Sequence, residues 1–179
     1  MRWILPAIII ALIAMGCSTK TTTIKTRPTD EASSIMKNSN IISSNQHLQQ
    51  GKHLYLKGKY KQATKHLTRS ITGYGENWEA HYYLGLCQQK SERFDRSIGS
   101  LSKSLKYCPV KHRLRGNIFY ALGISWENEN YLHKASEKYR EAQRLNPELV
   151  EAKAALIRIE IKTAKADKKM KKKKTTKAF

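Results

Sequence analysis

The feature that most constrains this chain is a motif that recurs three times at nearly constant spacing. The last copy reads Phe119-x-x-Leu122-Gly123-x-x-Trp126, then Ala135-x-x-x-Tyr139, then Pro147. The middle copy reads His81-x-x-Leu84-Gly85-x-x-Gln88, then Ser97-x-x-x-Leu101, then Pro109. The first reads His47-x-x-Gln50-Gly51-x-x-Leu54, then Ala63-x-x-x-Leu67, then Gly75. Gly51, Gly85 and Gly123 are 34 and 38 residues apart. Glycine to proline is 24 residues in both later copies, so four extra residues fall between Pro109 and Phe119. A unit of this length holds two short antiparallel helices and a turn, and an internal repeat of such units implies a stack.

Each motif glycine lies inside an apolar-periodic helical segment, where it costs roughly 1 kcal/mol against alanine. Close approach of a second helix offsets that cost. Ala63, Ser97 and Ala135 are the small partners on that second helix, and Leu67, Leu101 and Tyr139 follow one turn later on the same face. Pro109 and Pro147 end one helix and precede the next.

These residues resemble the tetratricopeptide repeat (TPR) family over about residues 44–149. The last copy carries nearly the whole signature. The middle copy lacks the alanine (Ser97) and the first-helix tyrosine, and the first has Gln50 and Gly75 where leucine and proline are usual. The resemblance implies an all-α solenoid of three helix pairs, at about 44–77, 78–111 and 116–149. The segment from about 148 to 166 suits a capping helix, with Leu149, Ala152, Leu156, Ile159 and Thr163 on one stripe. The four extra residues are expected to lengthen or kink the first helix of the third pair.

In that family the first helix of each pair lines a concave groove. Carried over position by position, the lining is Asn45, Leu48, Lys52 and Tyr55, then Glu79, Tyr82, Leu86 and Gln89, then Asn117, Tyr120, Ile124 and Glu127. Aromatic rings and amides there imply a protein or peptide partner. Some members clamp a carboxylate with lysine and asparagine, but Gln49, Tyr83 and Ala121 occupy the asparagine positions here. That clamp is not expected.

The amino terminus sets the expected compartment. Arg2 precedes an apolar run from Ile4 to Met15, too short to span a bilayer and of signal-peptide size. The sequence Ala14-Met15-Gly16-Cys17 resembles a bacterial lipobox, which implies cleavage after residue 16 and lipid on Cys17. Two or three acyl chains anchor a protein firmly, at about 0.8 kcal/mol per buried methylene. Ser18, which is not aspartate, resembles an outer-membrane address, with the domain facing the periplasm. Residues 17–43 read as a polar tether spanning about 28 Å if disordered, with a short helix near Thr29–Met36.

Charge is uneven along the chain, whose formal total is +20. Residues 162–179 hold nine lysines against Asp167, and 167–179 read as a disordered tail. In the first copy Lys52, Lys57, Lys59, Lys61, Lys65 and Arg69 have no acidic neighbour before Glu76. Three roles stand open for the tail: keeping the chain soluble, contacting anionic lipid or envelope polymer, or binding nucleic acid. Export disfavours the last.

No motif points to catalysis or to a cofactor. The histidines at 47, 53, 66, 81, 112 and 133 lack metal-ligand spacing. His47 and His81 occupy equivalent helix positions, which favours packing. Cys87 and Cys108 should differ by ~14 Å in level along an antiparallel pair. A disulfide needs Cα atoms within about 7 Å, so none is expected. Cys87 reads as core, and Cys108 as a thiol open to intermolecular bonding. Together these features resemble the small TPR lipoproteins that assist envelope assembly, type IV pilus pilotins among them.

Overall fold

The computed structural model describes residues 30–176, with side chains described over 32–165. The signal segment, Cys17 and the tether as far as residue 29 lie outside the described residues. The described residues form seven helices: α1 (Asp30–Leu56), α2 (Tyr60–Gly73), α3 (Trp78–Lys90), α4 (Phe94–Tyr107), α5 (Arg115–Asn128), α6 (Leu132–Leu145) and α7 (Val150–Thr176). Successive helices pack on one another, α2 on α3, α3 on α4, and so on to α7, and α3 also touches α5. All-helical stacked pairs are what the repeat predicted.

Three core clusters follow one another through the stack. The first joins Leu48, Ala63, Leu67, Ala80 and Cys87. The second joins Leu101, Cys108, Ile118, Ala121 and Leu122. The third joins Ala135, Tyr139, Ala155 and Ile159. The second helices α2, α4 and α6 are strongly amphipathic, because one face enters a cluster and the other meets water.

The motif glycines mark where paired helices touch. A Cβ at Gly51 would come within 2.7 Å of Leu67 Cγ, and one at Gly85 within 2.6 Å of Leu101 Cγ. One at Gly123 would strike the Tyr139 ring. Ala63, Ser97 and Ala135 are fully buried opposite.

The pairs are joined internally by equivalent left-handed turns. Gly58 has φ +72°, Glu92 φ 56° and Asn130 φ 61°. Between the first and second pairs, Asn77 caps α3 by accepting from the Ala80 N–H at 3.2 Å. Its amide donates to the buried hydroxyls of Ser44 (3.3 Å) and Ser70 (3.2 Å). One side chain thus ties α1, α2 and α3 together.

Four expectations need correction. The helix expected from about residue 44 begins at Asp30, as one 27-residue element. No proline follows Pro28 in this segment, and Asp30 and Glu31 favour the first turn. The upper part of α1 is also held: a Cβ on Gly73 of α2 would lie 3.2 Å from the Asn40 carbonyl. At the other end the helix does not stop at 166, because α7 runs to Thr176. Lysine is a good helix former, and a helix docked at its start needs no new nucleus.

The four extra residues do not lengthen α5, which has 14 residues against 13 in α3. They fold as successive turns, with the His112 N–H donating to Pro109 O and the Arg115 N–H to His112 O. Arg115 Nη1 secures the loop by donating to the carbonyls of Leu105 (2.9 Å) and Cys108 (2.8 Å). Cys108, expected to be accessible, is 3% exposed. The loop and α5 cover it. Cys87 and Cys108 are free thiols in different clusters.

Candidate peptide-binding groove

The first helices of the pairs lie side by side, and three cross-contacts register them. Lys52 of α1 pairs with Glu79 of α3 at 2.8 Å. Gln89 of α3 donates to the Ala121 carbonyl and the Ser125 hydroxyl of α5, each at 2.7 Å. Arg158 of α7 donates to Glu127 of α5 at 2.7 and 3.2 Å. The inner surface is therefore formed by α1, α3, α5 and α7, and the helix expected to cap the stack also lines it.

The groove residues inferred from sequence fall into two groups. Of those in the first pair and the start of the second, Asn45, Leu48 and Glu79 line a recess, while Tyr55 and Tyr82 pack against the first and second clusters and Lys52 pairs with Glu79. A cavity of about 390 Å³ is lined by Ile41, Asn45 and Leu48 of α1, by Tyr74, Glu76 and Asn77 before α3, by Trp78 and Glu79, and by Tyr107 and Pro109. Asn45 is exposed at its mouth, and Leu48, buried in the first cluster, forms part of its wall. Beside it runs a line of rings, Tyr60, Tyr55, Tyr83 and Tyr82, with centroids 5.7, 5.6 and 5.3 Å apart. The Lys52 ammonium sits 5.4 Å from the Tyr83 ring. Burial raises the Tyr55 hydroxyl above its ordinary pKa, with the neighbouring Tyr60, Cys87 and Tyr83 adding to it. Burial pushes Tyr82 up to about 12. Both are neutral hydrogen-bonding groups at any physiological pH.

The second group is committed to holding the stack together. Leu86 packs into the second cluster, and Tyr120 and Ile124 pack into the third, which α7 completes. Gln89 is engaged by α5 as above, and Asn117 is half-buried on α5. Glu127 accepts from the Tyr139 hydroxyl at 2.7 Å as well as from Arg158. Burial alone would raise its carboxyl. The hydrogen bonds from Arg158 and Tyr139, with the charges of Arg158 and Lys162, outweigh that and hold it below the usual range. The recess thus belongs to the amino-terminal half of the groove.

Sequence reasoning missed Trp78, Tyr74, Glu76, Tyr107 and Pro109 as cavity walls. Trp78 adjoins the anticipated Glu79 and Glu76 lies three positions before it, so proximity was a usable signal. Tyr107 and Pro109 come from the end of α4 and carried none. His81, placed as a packing residue, is buried; its Nε2 lies 2.9 Å from the Gly75 carbonyl and its ring stacks on Tyr107. His47 instead faces His66, with Nδ1 atoms 3.4 Å apart. Among the described residues there is no cluster of three or more groups able to hold a metal.

Solved structures match this arrangement. The first TPR domain of Spaghetti (RPAP3), solved with an HSP90 peptide SRMEEVD, superposes at a TM-score of 0.64 and 16% identity, covering 69% of this chain and 95% of that one. The Arabidopsis OM64 TPR domain gives 0.63 at 18% identity, over 67% and 96%. The Yersinia enterocolitica type III secretion chaperone SycD, solved with a peptide of the translocator YopD, gives 0.60 at 19%, over 66% and 93%. The chain has the TPR fold. No protein-family model matches it. Among curated proteins, the human protein O-mannosyl-transferase TMTC1 is 29% identical over 102 residues, covering 55% of this chain and 11% of TMTC1. The chain therefore spans about a tenth of that relative's length.

Proposed function

We propose that this chain is a scaffold that binds a protein partner in the bacterial cell envelope and is held at the membrane by lipid on Cys17. The recess between α1 and α3 carries the reading. It offers aromatic walls, an apolar floor, the exposed Asn45 amide and two carboxylates, a mixture suited to one anchoring side chain of an extended or helical segment. The HSP90 peptide solved with the RPAP3 domain and the YopD peptide solved with SycD support the same use of the fold. An acidic terminal carboxylate is not the favoured ligand here. Lys52 is already neutralised by Glu79, and the asparagine positions hold Gln49, Tyr83 and Ala121. The lipobox-like Ala14–Cys17 and Ser18 support an outer-membrane anchor facing the periplasm, and aid to assembly of an envelope complex fits that place.

The test is recovery of partners from envelope fractions with the lipidated full chain and its Asn45→Arg variant. Asn45 is exposed, so the change fills the mouth of the recess without touching the core. The partner should be lost in the variant and retained by the parent at about 0.5 M salt. Recovery indifferent to Asn45→Arg would overturn the reading. Detergent-phase partitioning should disappear on Cys17→Ser, and its persistence would remove the anchor.

Charge favours a second reading, in which the chain contacts anionic lipid or polymer of the envelope. Six cations of the first repeat precede any acid, and residues 162–179 hold nine lysines and one aspartate. Such binding should collapse with salt and with deletion of residues 162–179.

A further inference from the structure

α7 docks by one side and leaves the other uncovered. Ala152, Ala155 and Ile159 are buried with α6, and Leu156 packs beside them. On the opposite side Val150, Ile157 and Ile161 are 70%, 50% and 51% exposed. Spaced by seven and four, they form a single row, which includes the exposed Ala154. Glu160, which flanks the row, is paired with Arg140 at 2.9 Å. The helix then continues to Thr176. Steps of four, three and four from Ile161 reach positions 165, 168 and 172, each a lysine.

We infer that this outer row of α7 is a membrane-surface contact. Val150, Ile157 and Ile161 enter the headgroup region of an anionic bilayer, and the lysine run that follows holds the helix there. The inference rests on the second reading above and deepens it by naming the surface. Lysines alone would accept any polyanion, and three apolar side chains alone would hold a bilayer only weakly. On one helix, the two together select a surface that offers negative charge and apolar depth at once. No described helix is long and apolar enough to cross a membrane, so α7 lies on the surface. A second copy of this chain is a poorer occupant, because it brings a formal +20 against +20.

The experiment uses the mature chain, residues 17–179, carrying Cys17→Ser, which removes both the lipid and the apolar leader from the comparison. It is sedimented with phosphatidylcholine vesicles and with vesicles in which about a third of the lipid is phosphatidylglycerol. Binding to the anionic vesicles should be at least ~tenfold stronger, and Lys168→Glu/Lys171→Glu/Lys172→Glu should abolish the difference. Ile157→Asp/Ile161→Asp should weaken anionic-vesicle binding several-fold. Both positions are half-exposed, so cooperative melting should survive, and Ile157→Ser/Ile161→Ser should show the same direction. Asn45→Arg should change none of this. Lysine-dependent binding indifferent to both isoleucine pairs overturns the inference and leaves the electrostatic reading standing. Equal binding to both vesicle types overturns both. Binding to soluble polyphosphate but not to anionic vesicles overturns the bilayer as occupant. So does an isoleucine-dependent dimer, seen by light scattering, that vesicles do not displace.

Discussion

Glu92 and Asn130 hold a backbone conformation that glycine adopts more cheaply. Both have positive φ at the turn where the first pair uses Gly58. Asparagine adopts this region at lower cost than glutamate does. Glu92→Gly should therefore stabilise the fold by about 1 kcal/mol in urea or thermal unfolding, and Gly58→Ala should do the opposite. A loss of stability in Glu92→Gly would show that the Glu92 side chain matters more than its backbone. His81 gives a pH dependence at the same scale. Burial, helped by Lys103, lowers its pKa against the opposing hydrogen bond to the Gly75 carbonyl. Above about 6.5 the ring is neutral in both folded and unfolded states and contributes nothing to the slope. Below that value the unfolded chain takes the proton first, so stability falls with pH. His66 is shifted the same way by desolvation and by His47, Arg69 and Lys65. Melting temperatures should drop between about pH 7 and 5, and less steeply in His81→Gln. An unchanged slope in that variant would assign the effect elsewhere.

The glycine–large residue pairs decide how helices meet. Gly123→Ala gains about 1 kcal/mol of helix propensity, yet its methyl meets the Tyr139 ring. That ring is fully buried and its hydroxyl is tied to Glu127, so it cannot swing aside. A net loss of about 1–2 kcal/mol is expected in chemical denaturation. A neutral or stabilising result would show that the third pair can shift apart. This contact was legible in the sequence because it recurs at a fixed offset of sixteen residues, from Gly51 to Leu67, Gly85 to Leu101 and Gly123 to Tyr139. Helix ends were less legible. Residues 30–43 and 167–176 lack a periodic apolar face, and their helices extend from segments that packing had already fixed.

For the molecule as a whole, α7 both closes the core and continues the inner surface. Deleting residues 147–179 would uncover Ala135 and Tyr139 and remove the partners Leu156 and Ile159. A loss of about 4 kcal/mol or more follows from those two large side chains alone. Ile159 is the last buried residue among the described side chains, so deleting only 166–179 should leave stability nearly unchanged. A large loss from the shorter deletion would show that the lysine segment docks. The candidate site was legible in part at this scale. Asn45, Leu48 and Glu79 could be carried over by position, whereas Glu127, Tyr120 and Gln89 could not be told apart from them. Arg158 sits 31 positions beyond Glu127, Ser125 sits 36 beyond Gln89, and Tyr139, whose ring meets Tyr120, sits 12 beyond Glu127.

By itself the sequence determined that this chain stacks three helix pairs, because small and large residues recur at offsets that only paired helices can satisfy. Tertiary structure alone decided which half of the groove stays open. That outcome depends on whether each lining side chain finds a partner on the next helix. Lys52 and Glu79 pair with each other and leave a recess beside them, while Gln89, Tyr120 and Glu127 are taken up by α5, α6 and α7.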